Sequence, residues 1–176
     1  MFVILFLGVG AGGTWYYWSE KTRGEAIARH RKAAATAKAT ASWDGLEKAL
    51  TELRGALEQD QSSTLTMAYV AEVAGLEALL YGAESERVDA AIKAGTRDID
   101  KPDEAGFREL LIARSSLELS RLAITEPPGA QLAPTRATID QWLEAHPDDA
   151  WMRWLQARAM LAAGERTAAQ SSLRKA

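Results

Sequence analysis

The tetrapeptide Pro102-Asp103-Glu104-Ala105 returns 45 residues later as Pro147-Asp148-Asp149-Ala150. Each copy lies between two stretches patterned as helices. Proline lacks an amide hydrogen and stops the helix before it, while the acids that follow favour the positive end of the next helix. Repetition at a fixed offset marks architectures in which each unit buries its apolar face only by stacking on a neighbour. Gln61-Ser62-Ser63-Thr64 occupies the same kind of junction one unit earlier.

The pattern between the junctions is helical almost throughout. Leucine and alanine dominate, and apolar residues recur three and four apart. Leu46, Ala49, Leu50, Leu53, Ala56 and Leu57 form one such stripe. Further helices are predicted over a run ending at Gly82, over Phe107–Ile124, over Pro134–Ala145 and over Ala150–Ala163. Gly82 and Gly164 are placed to close helices, because glycine readily takes the left-handed conformation at a helix C-terminus. No stretch alternates with period two, so the fold class expected is all-α, without a sheet.

These residues resemble the tetratricopeptide repeat, a helix hairpin with small residues at the packing positions, glycine between its helices and proline after them. Ala157, Gly164, Ala169, Leu173 and Ala176 match the motif best, with Pro147 ending the unit before; Ala49, Leu53 and Ala56 follow the second-helix spacing, and Gly75 with Gly82 match the first. The family period is about 34 residues, whereas the junctions here lie farther apart, with Thr125–Ala130 as a loop insertion in one unit. The resemblance implies antiparallel hairpins forming a short superhelix, with a concave face that binds protein or peptide. In the family register that face carries Tyr69 and Glu72, then Glu109 and Ser116, then Trp151, Trp154 and Arg158.

Residues 1–19 contain no charged side chain. As a helix, the apolar run to Trp18 would be about 27 Å long, near the roughly 30 Å of a bilayer core. Trp15, Tyr16, Tyr17 and Trp18 sit where an aromatic belt belongs at a membrane interface. A cleavable signal peptide needs basic residues before its apolar run and a small-residue cleavage site after it; this segment has neither, which favours an uncleaved transmembrane anchor. Gly8 and Gly12 have the spacing that lets two membrane helices approach closely. Domains are therefore expected at 1–19 (transmembrane anchor), 20–41 (basic juxtamembrane helix) and 42–176 (helical repeats, open to continuation past the given end).

Charge is divided unevenly. Residues 20–41 carry six basic and two acidic side chains, whereas residues 42–176 carry 15 basic and 22 acidic ones. Basic residues beside an anchor stay in the cytoplasm by the positive-inside rule. An aromatic-ended anchor ahead of such repeats is also similar to the ancillary translocon subunit family of bacterial inner membranes, and that likeness implies a single-pass protein whose repeats are periplasmic. The two expectations conflict about the side.

No catalytic constellation is legible. His30 and His146 are far apart in sequence, and neither has a partner at metal-ligand spacing. Asp98, Asp100, Asp103 and Glu104 suggest a calcium loop, but Asp103 stands where that loop requires glycine. The chain has no cysteine, so thiolate chemistry and disulfides are excluded. The acidic body repels phosphates and disfavours nucleic acid. The expectation is a membrane-anchored scaffold, not an enzyme, with no cofactor, no metal and a protein or peptide as partner. The alternatives are a structural subunit assembling through its anchor and last repeat, and an accessory part of a larger enzyme.

Overall fold

Period-3.6 patterning produces helices at every described element. The computed structural model describes the backbone of residues 2–122 and 129–175, and the side chains of residues 17–122 and 132–175. The elements are α1 (Phe2–Lys38), α2 (Trp43–Gln59), α3 (Thr64–Tyr81), α4 (Ser85–Gly95), α5 (Phe107–Leu122), α6 (Gly129–Ala145), α7 (Ala150–Ala162) and α8 (Arg166–Leu173). Among the described residues there is no strand, and the fold class is all-α. Gly82 and Gly164 follow the last turns of α3 and α7 with φ of 73° and 82°. These are the left-handed C-terminal positions expected of them. Helix α6 starts five residues before Pro134, earlier than the pattern indicated.

The chain divides into two compact units, Met1–Ser63 and Thr64–Ala176. In the first, α2 packs antiparallel on the second half of α1. Ser42 caps α2 by accepting the Gly45 amide, and Leu46, Ala49, Leu50, Leu53 and Ala56 form its buried stripe. Polar ties run along the hairpin: His30 Nδ1 lies 2.8 Å from Glu52 Oε2, and Arg31 donates to the Ser63 hydroxyl at 2.8 Å. Arg23 donates to the Gln59 carbonyl near the end of α2, which supplies a cation where the helix dipole is negative.

In the second unit, α3 packs on both α4 and α5, α5 on α6 and α7, and α7 on α8. Every residue from Ala71 to Ala78 of α3 is buried. A helix covered all round belongs to a core and not to a surface layer. One cluster joins Ala68, Ala71, Ile99, Leu110 and Ala113, and another joins Ala74, Ala78, Val88 and Leu117. At Gly75, α3 and α5 approach closely. A Cβ there would lie 2.9 Å from the Ala113 Cα and 3.0 Å from its carbonyl oxygen.

The two proline junctions are built differently. Asp149 caps α7 by accepting the Met152 amide. Its counterpart Glu104 instead folds back and accepts the amides of Asp100 and Lys101 at 2.7 and 3.1 Å. Those backbone donors hold the Glu104 carboxyl below its ordinary range, and α5 begins only at Phe107.

Candidate polypeptide-binding face

The register that selects a concave face places its residues in two different surroundings. On α3 and α5, Glu72 and Ser116 are fully buried at 0 % exposure, and Glu109 is buried at 9 %; Tyr69 is half-buried. The expectation that Glu72, Glu109 and Ser116 line an open trough is therefore corrected. The α5 face running through Glu109, Ile112, Ser116 and Leu119 is covered along its length, because α5 is packed by α3, α4, α6 and α7 together.

Helix α7 is different. Trp151, Trp154 and Arg158 fall at i, i+3 and i+7, so a 3.6-residue period puts them on one stripe. Leu161 continues it at i+10 and is 47 % exposed. On the same helix Met152, Leu155 and Ala159 are fully buried. The Trp151 and Trp154 rings meet edge to face, with centroids 5.8 Å apart at 84°. The Arg158 guanidinium carbon lies 5.7 Å from the Trp154 ring centre, within cation–π range. The result is one ridge of two half-buried indoles, an exposed guanidinium and an exposed leucine.

Polar ties hold this helix in place. Gln156 Nε2 donates to Asp140 Oδ1 of α6, and the Ser172 hydroxyl of α8 donates to Gln156 Oε1, each at 2.6 Å. Arg153 donates to the Pro147 carbonyl. At the start of α7, Arg108 of α5 grips Asp149 with two hydrogen bonds of 2.7 and 2.8 Å, the bidentate geometry that suits guanidinium and carboxylate. The Trp142 indole also donates to Asp149, at 3.1 Å. Burial opposes ionisation of Asp149, but the bonds and charge of Arg108, helped by the Met152 amide and the Trp142 indole, hold its carboxyl below the ordinary range. Arg108 is raised above its ordinary range: burial opposes its charge, and Asp149, Glu72 and Glu109 outweigh that cost. The Glu72 and Glu109 carboxylates stand 3.7 and 3.5 Å from Arg108 Nη1.

Beside this hub, Trp142 is stacked between Phe107 and His146, with centroids 6.0 and 3.9 Å away. These rings, with Pro102, Leu111, Thr138 and Gln141, border a cavity of about 220 Å³. His146 is exposed. Among the described residues, no group of three or more histidine, aspartate or glutamate side chains is arranged to hold a metal ion.

The surroundings of Gly8 and Gly12, and the side chains of most of the apolar lead, lie outside what the structure describes. Among the described residues, no helix is long and apolar enough to cross a membrane. Tyr17 and Trp18 are exposed, and the Lys21 ammonium lies 5.8 Å from the Trp18 ring centre.

Comparison with protein-family models, curated proteins and solved structures returns no match to this chain. Sequence reasoning missed Leu161 and the Arg108–Asp149 grip. Leu161 was detectable, since it continues the α7 stripe by one further turn. The grip joins residues 41 apart in sequence, and no local pattern announces such a pairing.

Proposed function

We propose that this chain is a membrane-tethered helical-repeat scaffold, bacterial and single-pass, that binds a polypeptide through the α7 ridge. The observation that carries the reading is the preformed group Trp151, Trp154, Arg158 and Leu161 on a helix fixed from both sides. Tryptophan and arginine are the residue types that dominate binding energy at interfaces, and side chains already packed on one another lose little entropy when a partner arrives.

The repeat reading is supported by the order of packing, in which α3, α5 and α7 each meet the next helix and α3 and α5 also meet the next but one. Left-handed Gly82 and Gly164 support it as well. One departure stands out, in that Gly75 abuts Ala113 of α5 instead of an alanine of α4. The tether reading is supported by the charge-free first 19 residues and by exposed aromatics where that run ends.

Panning of a displayed peptide library against the full chain in detergent micelles tests the binding role. Trp154→Ala is expected to weaken any selected peptide by about 2 kcal/mol, roughly thirtyfold. A library that yields no peptide sensitive to Trp154 would overturn the reading.

A further inference from the structure

We infer that the α7 ridge takes an acidic segment of its partner, an aspartate or glutamate flanked by aromatic or aliphatic side chains. The inference rests on the polypeptide-binding reading and specifies its chemistry. It begins with the local charge. Residues 150–176 hold five basic side chains, Arg153, Arg158, Arg166, Arg174 and Lys175, against the single acid Glu165. Glu165 is already engaged by Arg136 of α6. Residues 64–149, the rest of the same unit, hold 8 basic and 16 acidic side chains. Within this unit the α7–α8 hairpin is thus cationic and the remainder anionic, and an anionic partner is steered toward the hairpin and repelled from the rest of the unit.

The geometry of Arg158 supplies the contact. Its guanidinium lies over the Trp154 ring, and among the described residues no carboxylate stands within ion-pair distance of it. A guanidinium held over a ring keeps N–H donors to give, and its fork matches a carboxylate with two parallel hydrogen bonds. Arg153 plays another part, since it is held to the Pro147 carbonyl at the base of the helix. The Trp151–Trp154 edge-to-face pair lies on one side of Arg158 and Leu161 on the other, so apolar surface borders the cation along the stripe. From Trp151 to Leu161 the ridge is about 15 Å long, which a partner covers with roughly three helical turns or about five extended residues. The partner chemistry that fits is an acid set between apolar anchors. Nucleic acid is anionic too, but the body beneath the ridge would repel its long run of phosphates.

Fluorescence anisotropy with the full chain in micelles tests this with three labelled peptides of equal length. Their apolar residues are identical and their polar residues are glutamate, glutamine or lysine. A single-stranded RNA oligonucleotide is the fourth probe. The glutamate peptide is expected to bind at least about tenfold more tightly than the glutamine peptide, and to weaken as salt screens the attraction. Arg158→Gln is expected to remove that preference, so that the glutamate and glutamine peptides bind the variant alike. This residue is exposed, and unchanged circular dichroism confirms an intact fold.

Equal binding of all three peptides, lost on Trp154→Ala, would overturn the acidic preference and leave the polypeptide role standing. Binding of none would overturn both. Tighter binding of RNA than of the glutamate peptide would also overturn the inference. Sedimentation of the chain alone covers the remaining occupant: a salt-sensitive dimer abolished by Arg158→Gln would assign the ridge to the acidic body of a second copy.

Discussion

Arg108→Ala is expected to lower the stability of the second unit by about 3–5 kcal/mol, the range for removing one partner of a buried ion pair. The guanidinium is the cation shared by Asp149, Glu72 and Glu109, and each of these carboxylates is largely shielded from water. The reciprocal change Asp149→Ala is expected to cost about 3 kcal/mol. It removes the α7 cap and the acceptor for Trp142, but leaves Arg108 near two other acids. Asp149→Asn should cost less, because asparagine is also a good N-cap. Urea denaturation followed by circular dichroism reads all three. A loss below about 1 kcal/mol for Arg108→Ala would assign the grip to the solvated surface pairs that contribute little.

The same grip sets a response to acid. The Asp149 carboxyl is depressed in the folded chain, so its stabilising contribution is complete above the unfolded value near pH 4 and is lost as pH falls through the folded value. The wild type should therefore lose stability progressively below about pH 4. In Arg108→Ala that loss should shrink, because protonating the carboxylates there relieves repulsion. Equal acid sensitivity of the two proteins would remove Arg108 as the cause.

Gly75→Val is the second large effect. Even alanine brings a Cβ to 2.9 Å from the Ala113 Cα, and that obstacle is backbone, which no rotamer change can clear. Overpacking of this kind costs about 1–3 kcal/mol, against roughly 1 kcal/mol gained by replacing glycine within a helix. Gly75→Ala should therefore be mildly destabilising, and Gly75→Val should lose about 3 kcal/mol. Adding Ala113→Gly should not restore either variant, since the contact is with Cα and the carbonyl oxygen. A stabilised Gly75→Ala would show that α3 and α5 separate at little cost.

Much of the helical layout is legible in the sequence, because helix periodicity and glycine termini are local properties. Gly82 and Gly164 end their helices for reasons contained within a few residues, and the α7 stripe is readable from spacing alone. The surroundings of α3 and α5 are not readable in that way. A repeat register assigns one side of each first helix to solvent, but Glu72 and Ser116 are enclosed because several helices converge on α5. Matching tetrapeptides did not imply matching work either: Asp149 looks forward to cap a helix, and Glu104 looks back to close a turn. Charge explains part of this, since Asp149 has a cation from a distant helix and Glu104 satisfies itself on nearby amides.

Gln156 has a consequence for how the last helices come apart. Helix α8 spans only Arg166–Leu173, and a helix that short does not persist alone in water. Through Ser172 and Asp140, however, one amide side chain laces α8 to α6 across α7. Protection of the α8 amides against deuterium should consequently rise and fall with that of α6, so that the two helices open in concert instead of one by one.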